Sequence, residues 1–210
     1  MIRIIITDDH PIFREGLKRI IEKTSDMVVA DEASTGEELL GKVGEKNLDL
    51  VLLDIAMPGR GGLEILDQLK TTNPNLRILV LSMYPEERYA VRVLKSGAAG
   101  YLTKDEASDE LIKAIRKISD GGKYVSPSLA EKWALDLELG GEKPVHESLS
   151  NREYQVMLMI ASGKTLKEIV EELSLSVTTI STYRSRILKK MKLSNNAEII
   201  YYAIKNGLVE

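Results

Sequence analysis

The sequence has no cysteine, one phenylalanine, one tryptophan and no long apolar run. Without cysteine, disulfides and thiolate metal sites are excluded, and a reducing, cytoplasmic setting is favoured. No stretch approaches the roughly 18 consecutive apolar residues of a membrane-spanning helix, so no membrane association is expected. The chain enters an apolar strand within its first residues, without the layout of a signal peptide.

The composition is that of an ordinary globular protein, but charge is unevenly distributed. With 210 residues, 43% of them apolar and 29% charged, the chain suits two modest domains. From Leu149 onward there are nine Lys/Arg and six Asp/Glu, whereas the preceding part carries 20 basic and 26 acidic residues. An acidic front part and a basic tail suggest two domains with different partners.

Five apolar runs of strand length alternate with five amphipathic segments in the first 120 residues. The predicted strands are Arg3–Thr7, Met27–Ala33, Leu50–Asp54, Ile78–Ser82 and Gly100–Thr103. The first predicted helix begins near Pro11. The other four cover Glu37–Val43, Gly62–Leu69, Glu86–Lys95 and Glu110–Ser119, and the last of them is expected to be capped by Ser108 or Asp109. This alternation predicts an α/β fold with a doubly wound five-stranded parallel sheet.

The remaining residues predict a linker and a smaller all-α domain. Ser126 and Pro127 are expected to cap and start a short helix in the linker, residues 123–147, which then breaks at residues 140–144. Residues 148–210 contain four predicted helices. The first is capped by Ser150 and ends at Gly163, and the second covers Leu166–Leu173. The third covers Val177–Met191 with Ser176 as its cap, and the fourth is opened by Asn195 or Asn196.

Polar side chains follow the predicted strands where they end. Asp8 and Asp9 follow the first strand, Asp54 ends the third, Ser82 ends the fourth and Lys104 follows the fifth. Taken singly, these are ordinary helix caps, strand ends and a solvated lysine. Because parallel strands end at one edge of the sheet, together they predict an acidic site. Mg²⁺ would relieve the repulsion there, and a carboxylate beside the metal can act as a nucleophile on a phosphoryl donor.

The acidic residues also match a known pattern in order and spacing. The matching residues are Asp8-Asp9, Asp54-Ile55-Ala56-Met57-Pro58, Gly62, Ser82, Tyr101 and Lys104. Residues 1–122 therefore resemble the receiver domain, a flavodoxin-like fold, of bacterial two-component response regulators. The resemblance implies that Asp54 is the phosphoacceptor. It also implies that Mg²⁺ is held by Asp9, Asp54 and the backbone carbonyl of Ala56, with Asp8 acting through water.

The same resemblance assigns roles at the ends of the fourth and fifth strands. Lys104 would contact the phosphoryl group, Ser82 would turn toward it, and Tyr101 would swing inward to fill the vacated space. Many receivers have a proline with a cis bond after the lysine, whereas this chain has Asp105. Since a cis bond before a non-proline residue costs about 2.5–4 kcal/mol, we expect a trans peptide.

A basic helix is predicted near the C-terminus. Residues 181–192 contain five Lys/Arg and no acidic residue, while Ile180, Ile187 and Met191 form an apolar stripe. A solvated basic face is the simpler interpretation. The preceding short helix and tight turn favour a helix-turn-helix instead. Neutralising about five phosphates would give a slope of log K against log[salt] of about −4.5.

The segments around that helix resemble the LuxR-type helix-turn-helix. They are Leu149-Ser150-Asn151-Arg152-Glu153, Ile160–Thr165, Lys167-Glu168-Ile169, Leu173, Leu175-Ser176 and Thr179-Ile180. Tyr183 departs from the histidine often found there. The resemblance implies that Ser181, Thr182 and Ser185 lie nearest the base edges, with Arg184, Arg186 and Lys189 mainly on phosphates.

Together the two resemblances are those of a NarL/FixJ-type response regulator. They imply a DNA-binding transcription regulator that is controlled by phosphorylation of Asp54 from a partner histidine kinase and is dimeric when phosphorylated. It would not be an enzyme. Two alternatives stay open, an Mg²⁺-dependent phosphohydrolase with an aspartate nucleophile and a DNA-binding protein that ignores phosphorylation.

Overall fold

The computed structural model describes residues 1–44, 47–57, 61–106, 108–138 and 144–209. The chain divides into two compact units, Met1–Ala134 and Leu135–Glu210. Among the described residues, no helix has both the length and the apolar character to cross a membrane. The sequence also predicts a turn at Met57-Pro58-Gly59, directly after Asp54; Pro58 and Gly59 and most of the break predicted at residues 140–144 lie outside the described residues.

The first unit is built on a five-stranded parallel sheet, as predicted. The strands are β1 (Ile2–Thr7), β2 (Met27–Ala33), β3 (Leu50–Asp54), β4 (Arg77–Ser82) and β5 (Gly100–Thr103), in the order β2-β1-β3-β4-β5. The helices between and after them are α1 (Pro11–Glu22), α2 (Gly36–Val43), α3 (Gly62–Thr72), α4 (Glu86–Lys95) and α5 (Ser108–Ser119). This strand order reverses direction between β1 and β3, where ligands of such sheets bind.

The sheet is covered on both faces. Ile4 and Ile6 of β1 pack with Leu17 of α1 and Ile115 of α5 in one apolar cluster. Ile5, whose side chain points to the other face, is also fully buried. Continuous apolar strands are expected when helices cover both faces, which confirms the doubly wound prediction.

Some helix boundaries differ from the prediction. The fifth helix begins at Ser108, so Ser108 and Asp109 lie inside it and the prediction that either caps it is wrong. The Glu106 carboxylate instead accepts hydrogen bonds from the backbone N–H (2.6 Å) and hydroxyl (2.8 Å) of Thr103, just before this helix. The peptide bond between Lys104 and Asp105 is trans, as predicted.

The first residues of the predicted linker pair with the sheet, which the sequence did not indicate. Tyr124 forms a parallel bridge with Gly100 at the outer side of β5. Its N–H donates to the Ala99 carbonyl (2.9 Å), and its carbonyl accepts from the Tyr101 N–H (3.2 Å). Its hydroxyl donates to Glu110 at 2.6 Å, so the backbone and side chain of Tyr124 both hold this segment on the first unit.

The predicted short helix is present as α6 (Pro127–Glu138). Ser126 caps it by accepting the Leu129 N–H at 3.1 Å. The hydroxyls of Ser126 and Ser128 both donate to the Glu86 carboxylate at the start of α4. The start of α6, which belongs to the first unit, is thereby hydrogen-bonded to the start of α4.

The second unit is all-helical. A 3₁₀ turn (Val145–Ser148) precedes α7 (Asn151–Ala161), α8 (Leu166–Leu173), α9 (Val177–Met191) and α10 (Asn196–Lys205). Ser150, Ser176 and Asn195 cap their helices as predicted. The left-handed residue Ser174 (φ 52°) ends α8, and the chain reaches the Ser176 cap of α9 two residues later. This short connection produces the predicted helix-turn-helix.

Candidate functional site

The carboxyl ends of β1 and β3 bring the predicted acidic residues together. Thr7 pairs with Leu53 in neighbouring strands, so the residues that follow them, Asp8 and Asp54, are adjacent. Ligand atoms of Asp8, Asp9, His10 and Asp54 all lie within 4.8 Å of one another. The structure therefore assembles from separate strands the acidic pocket that strand ends alone predicted.

Asp54 is buried, and both of its oxygens are engaged. Oδ1 accepts the Ala56 N–H at 2.7 Å, and Oδ2 accepts from Lys104 Nζ at 2.6 Å. Burial raises the pKa of the Asp54 carboxyl, while the hydrogen bonds from Lys104 and Ala56 oppose the rise. The result is a carboxylate held in one orientation, with its charge balanced by a single cation.

Lys104 is the cation of the pocket. Its Nζ lies 2.6 Å from both Asp8 Oδ2 and Asp54 Oδ2, and its side chain is only 5% exposed. Burial acts to lower the pKa of Lys104, but the two carboxylates outweigh it and the pKa is raised. One ammonium facing Asp8, Asp9 and Asp54 leaves these four side chains with an excess of negative charge. Such a site favours a further cation.

His10 joins the pocket, and the sequence reasoning missed it. Its backbone N–H donates to Asp8 Oδ1 (2.8 Å), and its Nδ1 lies 2.8 Å from Asp9 Oδ1. That oxygen of Asp9 is buried, and since its contact with His10 lacks hydrogen-bond geometry, no hydrogen bond satisfies it among the described residues. The signal was available, because His10 directly follows two pocket residues and precedes the helix that Pro11 begins.

Ser82 ends β4 and Tyr101 lies in β5, on the side of β3 away from β1, and both are fully buried. The Ser82 hydroxyl accepts the Tyr84 N–H at 3.1 Å, and the Tyr101 hydroxyl donates to the Tyr84 carbonyl at 2.8 Å. Burial raises the pKa of the Tyr101 phenol, so the ring stays neutral. The backbone of one residue, Tyr84, thus joins the two predicted switch side chains.

Gly62, which the family pattern includes, lies against the pocket loop. A Cβ at Gly62 would be 2.4 Å from the Ile55 Cα and 2.8 Å from the Asp54 carbonyl oxygen. No side chain fits at that distance from backbone. The start of α3 can approach the residues after Asp54 only because position 62 is glycine.

The basic helix α9 carries a shallow depression of about 360 Å³. Its lining contains five of the six predicted DNA-binding residues together with Thr178, the five being Ser181, Thr182, Ser185, Arg186 and Lys189. Ile180 and Ile187 on the opposite stripe are fully buried, as the helical spacing predicted. The depression therefore lies on the outward side of the helix.

Two basic residues of α9 are engaged within the second unit. The Arg184 Nε donates to Asn196 Oδ1 at 2.7 Å, and Arg184 does not line the depression. Lys190 Nζ lies 2.6 Å from the buried Glu153 carboxylate. Burial alone would raise the pKa of Glu153, but Lys190 and Ser150 outweigh it and lower the pKa. Of the five basic residues on this stretch, Arg186, Lys189, Lys190 and Lys192 are exposed, and the side chains of Arg186, Lys189 and Lys192 have no partner among the described residues.

Two family models cover most of the chain. Residues 4–116 match the response regulator receiver domain, and residues 147–203 match the bacterial regulatory proteins of the luxR family. The first match falls within the unit that holds the acidic pocket, and the second covers the helical unit with α9. Both resemblances stated from the residues are thereby confirmed.

Two curated relatives match over nearly the whole of this chain and of their own length. The chain is 36% identical over 209 residues to response regulator UvrY of Escherichia coli K12, covering 99% of this chain and 96% of UvrY. It is 35% identical over 210 residues to response regulator GacA of Pseudomonas protegens, covering 100% of this chain and 99% of GacA.

A solved structure shows the same fold. RcsB from Salmonella enterica serovar Typhimurium, bound to promoter P1flhDC in the presence of the phosphomimetic BeF3⁻, matches with a TM-score of 0.62 and 25% identity. The match covers 96% of this chain and 97% of that one. The chain therefore belongs to the NarL/FixJ-type response regulators, transcription regulators in which a receiver domain precedes a LuxR-type DNA-binding domain.

Proposed function

We propose that phosphorylation of Asp54 by a histidine kinase controls how tightly α9 binds DNA. The observation that carries the proposal is the buried Asp54 carboxylate, which shares the Lys104 ammonium with Asp8 at 2.6 Å on each side. A carboxylate at the switch point of an α/β sheet, oriented by fixed donors, is placed to act as a nucleophile.

The reaction at Asp54 is a phosphoryl transfer. A carboxylate oxygen attacks the phosphorus of a kinase phosphohistidine, so a phosphorus–oxygen bond forms as the phosphorus–nitrogen bond breaks. The imidazole keeps the electron pair and takes up a proton. Lys104 is the side chain placed to contact a phosphoryl oxygen, because its Nζ already touches Asp54. Catalysis of such transfers is largely positioning and charge stabilisation.

The pocket fits Mg²⁺. Asp9 Oδ1 is buried without a hydrogen bond, and carboxylates are in excess in the pocket. Both features suit a hard divalent cation with oxygen ligands. Asp9, Asp54 and the Ala56 carbonyl would hold it, with Asp8 acting through water. When bound, Mg²⁺ would neutralise charge on the phosphoryl oxygens.

Ser82 and Tyr101 would report the phosphoryl group to the rest of the receiver. The Ser82 oxygen accepts the Tyr84 N–H, and in our proposal its hydroxyl turns to donate to a phosphoryl oxygen. Tyr101 is buried and donates to the Tyr84 carbonyl, so its ring occupies the inward position. In our proposal, phosphorylation stabilises this arrangement.

The depression on α9 would face the major groove. We assign Ser181, Thr182 and Ser185 to base edges. Arg184, Arg186 and Lys189 are assigned to phosphates, which position a protein but do not specify sequence. The RcsB complex supports this role because its promoter is bound by a chain of the same fold. Phosphorylated dimers would bind two half-sites, and we propose that the protein acts in the cytoplasm, where it would meet both DNA and the kinase.

We propose that the protein is a switch and not an enzyme. A phosphohydrolase with an aspartate nucleophile would be expected to carry an acid/base carboxylate just after it, but position 56 is Ala56. Without that group, the alcohol leaving a phosphomonoester would have no positioned proton donor.

The proposal is tested by measuring DNA affinity with and without phosphorylation by acetyl phosphate and Mg²⁺. We expect the phosphorylated protein to bind its operator at least about tenfold more tightly, equal to about 1.4 kcal/mol. The operator is first selected from a genomic library with phosphorylated protein. Equal affinity in both states would favour the alternative in which the receiver does not control DNA binding.

The adjacent residues Lys189 and Lys190 give a matched pair for the DNA surface. Lys189 lines the depression, whereas Lys190 pairs with Glu153. The three basic side chains without a partner among the described residues, Arg186, Lys189 and Lys192, predict a salt slope of about −2.7 per protomer, and Lys189→Gln is expected to reduce its magnitude by about 0.9. Lys190→Gln is expected to leave the slope unchanged and to lower the free energy of unfolding by about 1–2 kcal/mol, since Glu153 loses its cation.

Both variants are measured by salt titration of DNA binding and by urea unfolding. Similar slopes for the two variants would contradict the separate roles that the structure assigns to neighbouring lysines.

A further inference from the structure

We propose that Phe13 is a positioning residue for phosphorylation of Asp54, because its ring holds the Lys104 ammonium against the two carboxylates. The inference rests on the proposed function, since it concerns the same reaction. It adds a residue to which neither the family pattern nor the sequence reasoning assigned a role.

The position of Phe13 follows from the start of α1. Asp8 and Asp9 lead directly into this helix, and Pro11 fixes its first turn. Phe13, the one phenylalanine of the sequence, lies in that turn. Its ring packs against the apolar cluster that contains Leu17 and Leu102, so the core holds it in place.

The ring faces the cation of the pocket. Lys104 Nζ lies 4.6 Å from the Phe13 ring centroid and 2.6 Å from each of two carboxylate oxygens, on Asp8 and Asp54. A cation within about 6 Å of an aromatic face is attracted to it, most strongly where water is excluded. Lys104 is 5% exposed while Phe13 is partly exposed, which places the ring among the groups that separate the ammonium from water.

This contact matters for the reaction because Lys104 must be in place before the phosphoryl group arrives. A lysine has four flexible side-chain bonds, and each unfixed one reduces the fraction of molecules with a correctly placed ammonium. One of the two carboxylates that keep it there, Asp54, changes its charge distribution during the transfer, whereas Asp8 does not. The ring is unchanged by the reaction and holds Nζ throughout.

The test measures the initial rate of acyl-phosphate formation from acetyl phosphate in saturating Mg²⁺. In this step the Asp54 oxygen–phosphorus bond forms as the phosphorus–oxygen bond to acetate breaks, and acetate leaves with the electron pair. Phe13→Leu keeps apolar bulk without an aromatic face and is expected to lower the rate about fivefold to tenfold. Phe13→Tyr restores the face and should recover most of the rate. The control is Ile12→Ala, because Ile12 is 90% exposed on the same turn.

A double-mutant cycle separates positioning from a general effect on folding. If the ring acts through Lys104, Phe13→Leu should change the rate by less than about 1.5-fold in a Lys104→Met background. An equal loss in both backgrounds, or no loss in the wild-type background, would overturn the inference. Should Phe13→Leu be unfolded at the assay temperature, Phe13→Met takes its place in the same cycle.

The two proposals fail in different ways. If the wild-type protein forms no acyl phosphate, the proposed function is wrong, and this inference with it. If the wild type is phosphorylated on Asp54 and the cycle shows no coupling, only the role of Phe13 is refuted.

Discussion

Asp54→Asn is expected to abolish acyl-phosphate formation from acetyl phosphate. The substitution keeps the shape of the side chain and its acceptor oxygen for the Ala56 N–H, but it removes the nucleophilic oxygen and the negative charge that pairs with Lys104. Asp8 is also buried at a strand end and lies 2.6 Å from Lys104, but in our proposal it serves the metal, so we expect no substitute nucleophile. Incorporated phosphoryl groups are counted by intact mass.

The control for this variant is Asp49→Asn. Asp49 directly precedes the same strand, at the end opposite the pocket, and its carboxylate accepts the Arg3 backbone N–H at 2.8 Å. Asp49→Asn should be phosphorylated to the same extent as the wild type. Hydroxylamine distinguishes the sites, because it cleaves an acyl phosphate and leaves a serine phosphate intact. Hydroxylamine-sensitive phosphorylation of Asp54→Asn would refute the assignment.

Lys104→Met is expected to cause the largest loss of stability, about 3–5 kcal/mol, because it leaves two buried carboxylates without their cation. Asp8 and Asp54 are 2% and 1% exposed, so water cannot replace the ammonium. Urea unfolding without divalent ions measures the effect. Addition of Mg²⁺ should stabilise the variant more than the wild type, since the metal supplies the missing positive charge.

The loss should depend on pH in a defined direction. Burial already raises the pKa of Asp54, and in the variant Lys104 no longer opposes that rise. A carboxyl whose folded-state pKa lies above its unfolded value stabilises the fold below the unfolded pKa and ceases to do so as pH rises through the folded pKa. The deficit of Lys104→Met should therefore be small in acid and largest at neutral pH. If the difference in free energy of unfolding between Lys104→Met and the wild type does not change with pH, the loss does not come from the charge of Asp54.

The acidic pocket was predictable because its position follows from local sequence. A strand of parallel sheet ends where its apolar run ends, so Asp8 and Asp54 could be placed at one edge before the sheet was known. The same holds for Lys104. The helix-turn-helix was predictable for a similar reason, because Ser176 and the stripe of Ile180 and Ile187 mark a helix start and its buried side.

The partners of individual side chains could not be predicted in this way. Phe13 contacts Lys104, and Lys190 contacts Glu153, across distances in sequence that no periodicity describes. Five basic residues on one helix suggested five phosphate contacts, whereas Arg184 and Lys190 are bonded within their own unit. Counting charges along a helix gives an upper limit to the number of phosphate contacts, because the tertiary structure decides which of the basic side chains are already bonded to other residues.

Tyr124 has a consequence for the behaviour of the receiver at high concentration. An unpaired edge strand offers its backbone N–H and C=O groups to a strand of another molecule and so promotes aggregation. Here Tyr124 takes up the Ala99 carbonyl and the Tyr101 N–H at the β5 edge. A receiver truncated at Gly122 would lose this cover, although every strand of its sheet would be present. The residues that begin the link to the second domain therefore also protect the first from self-association.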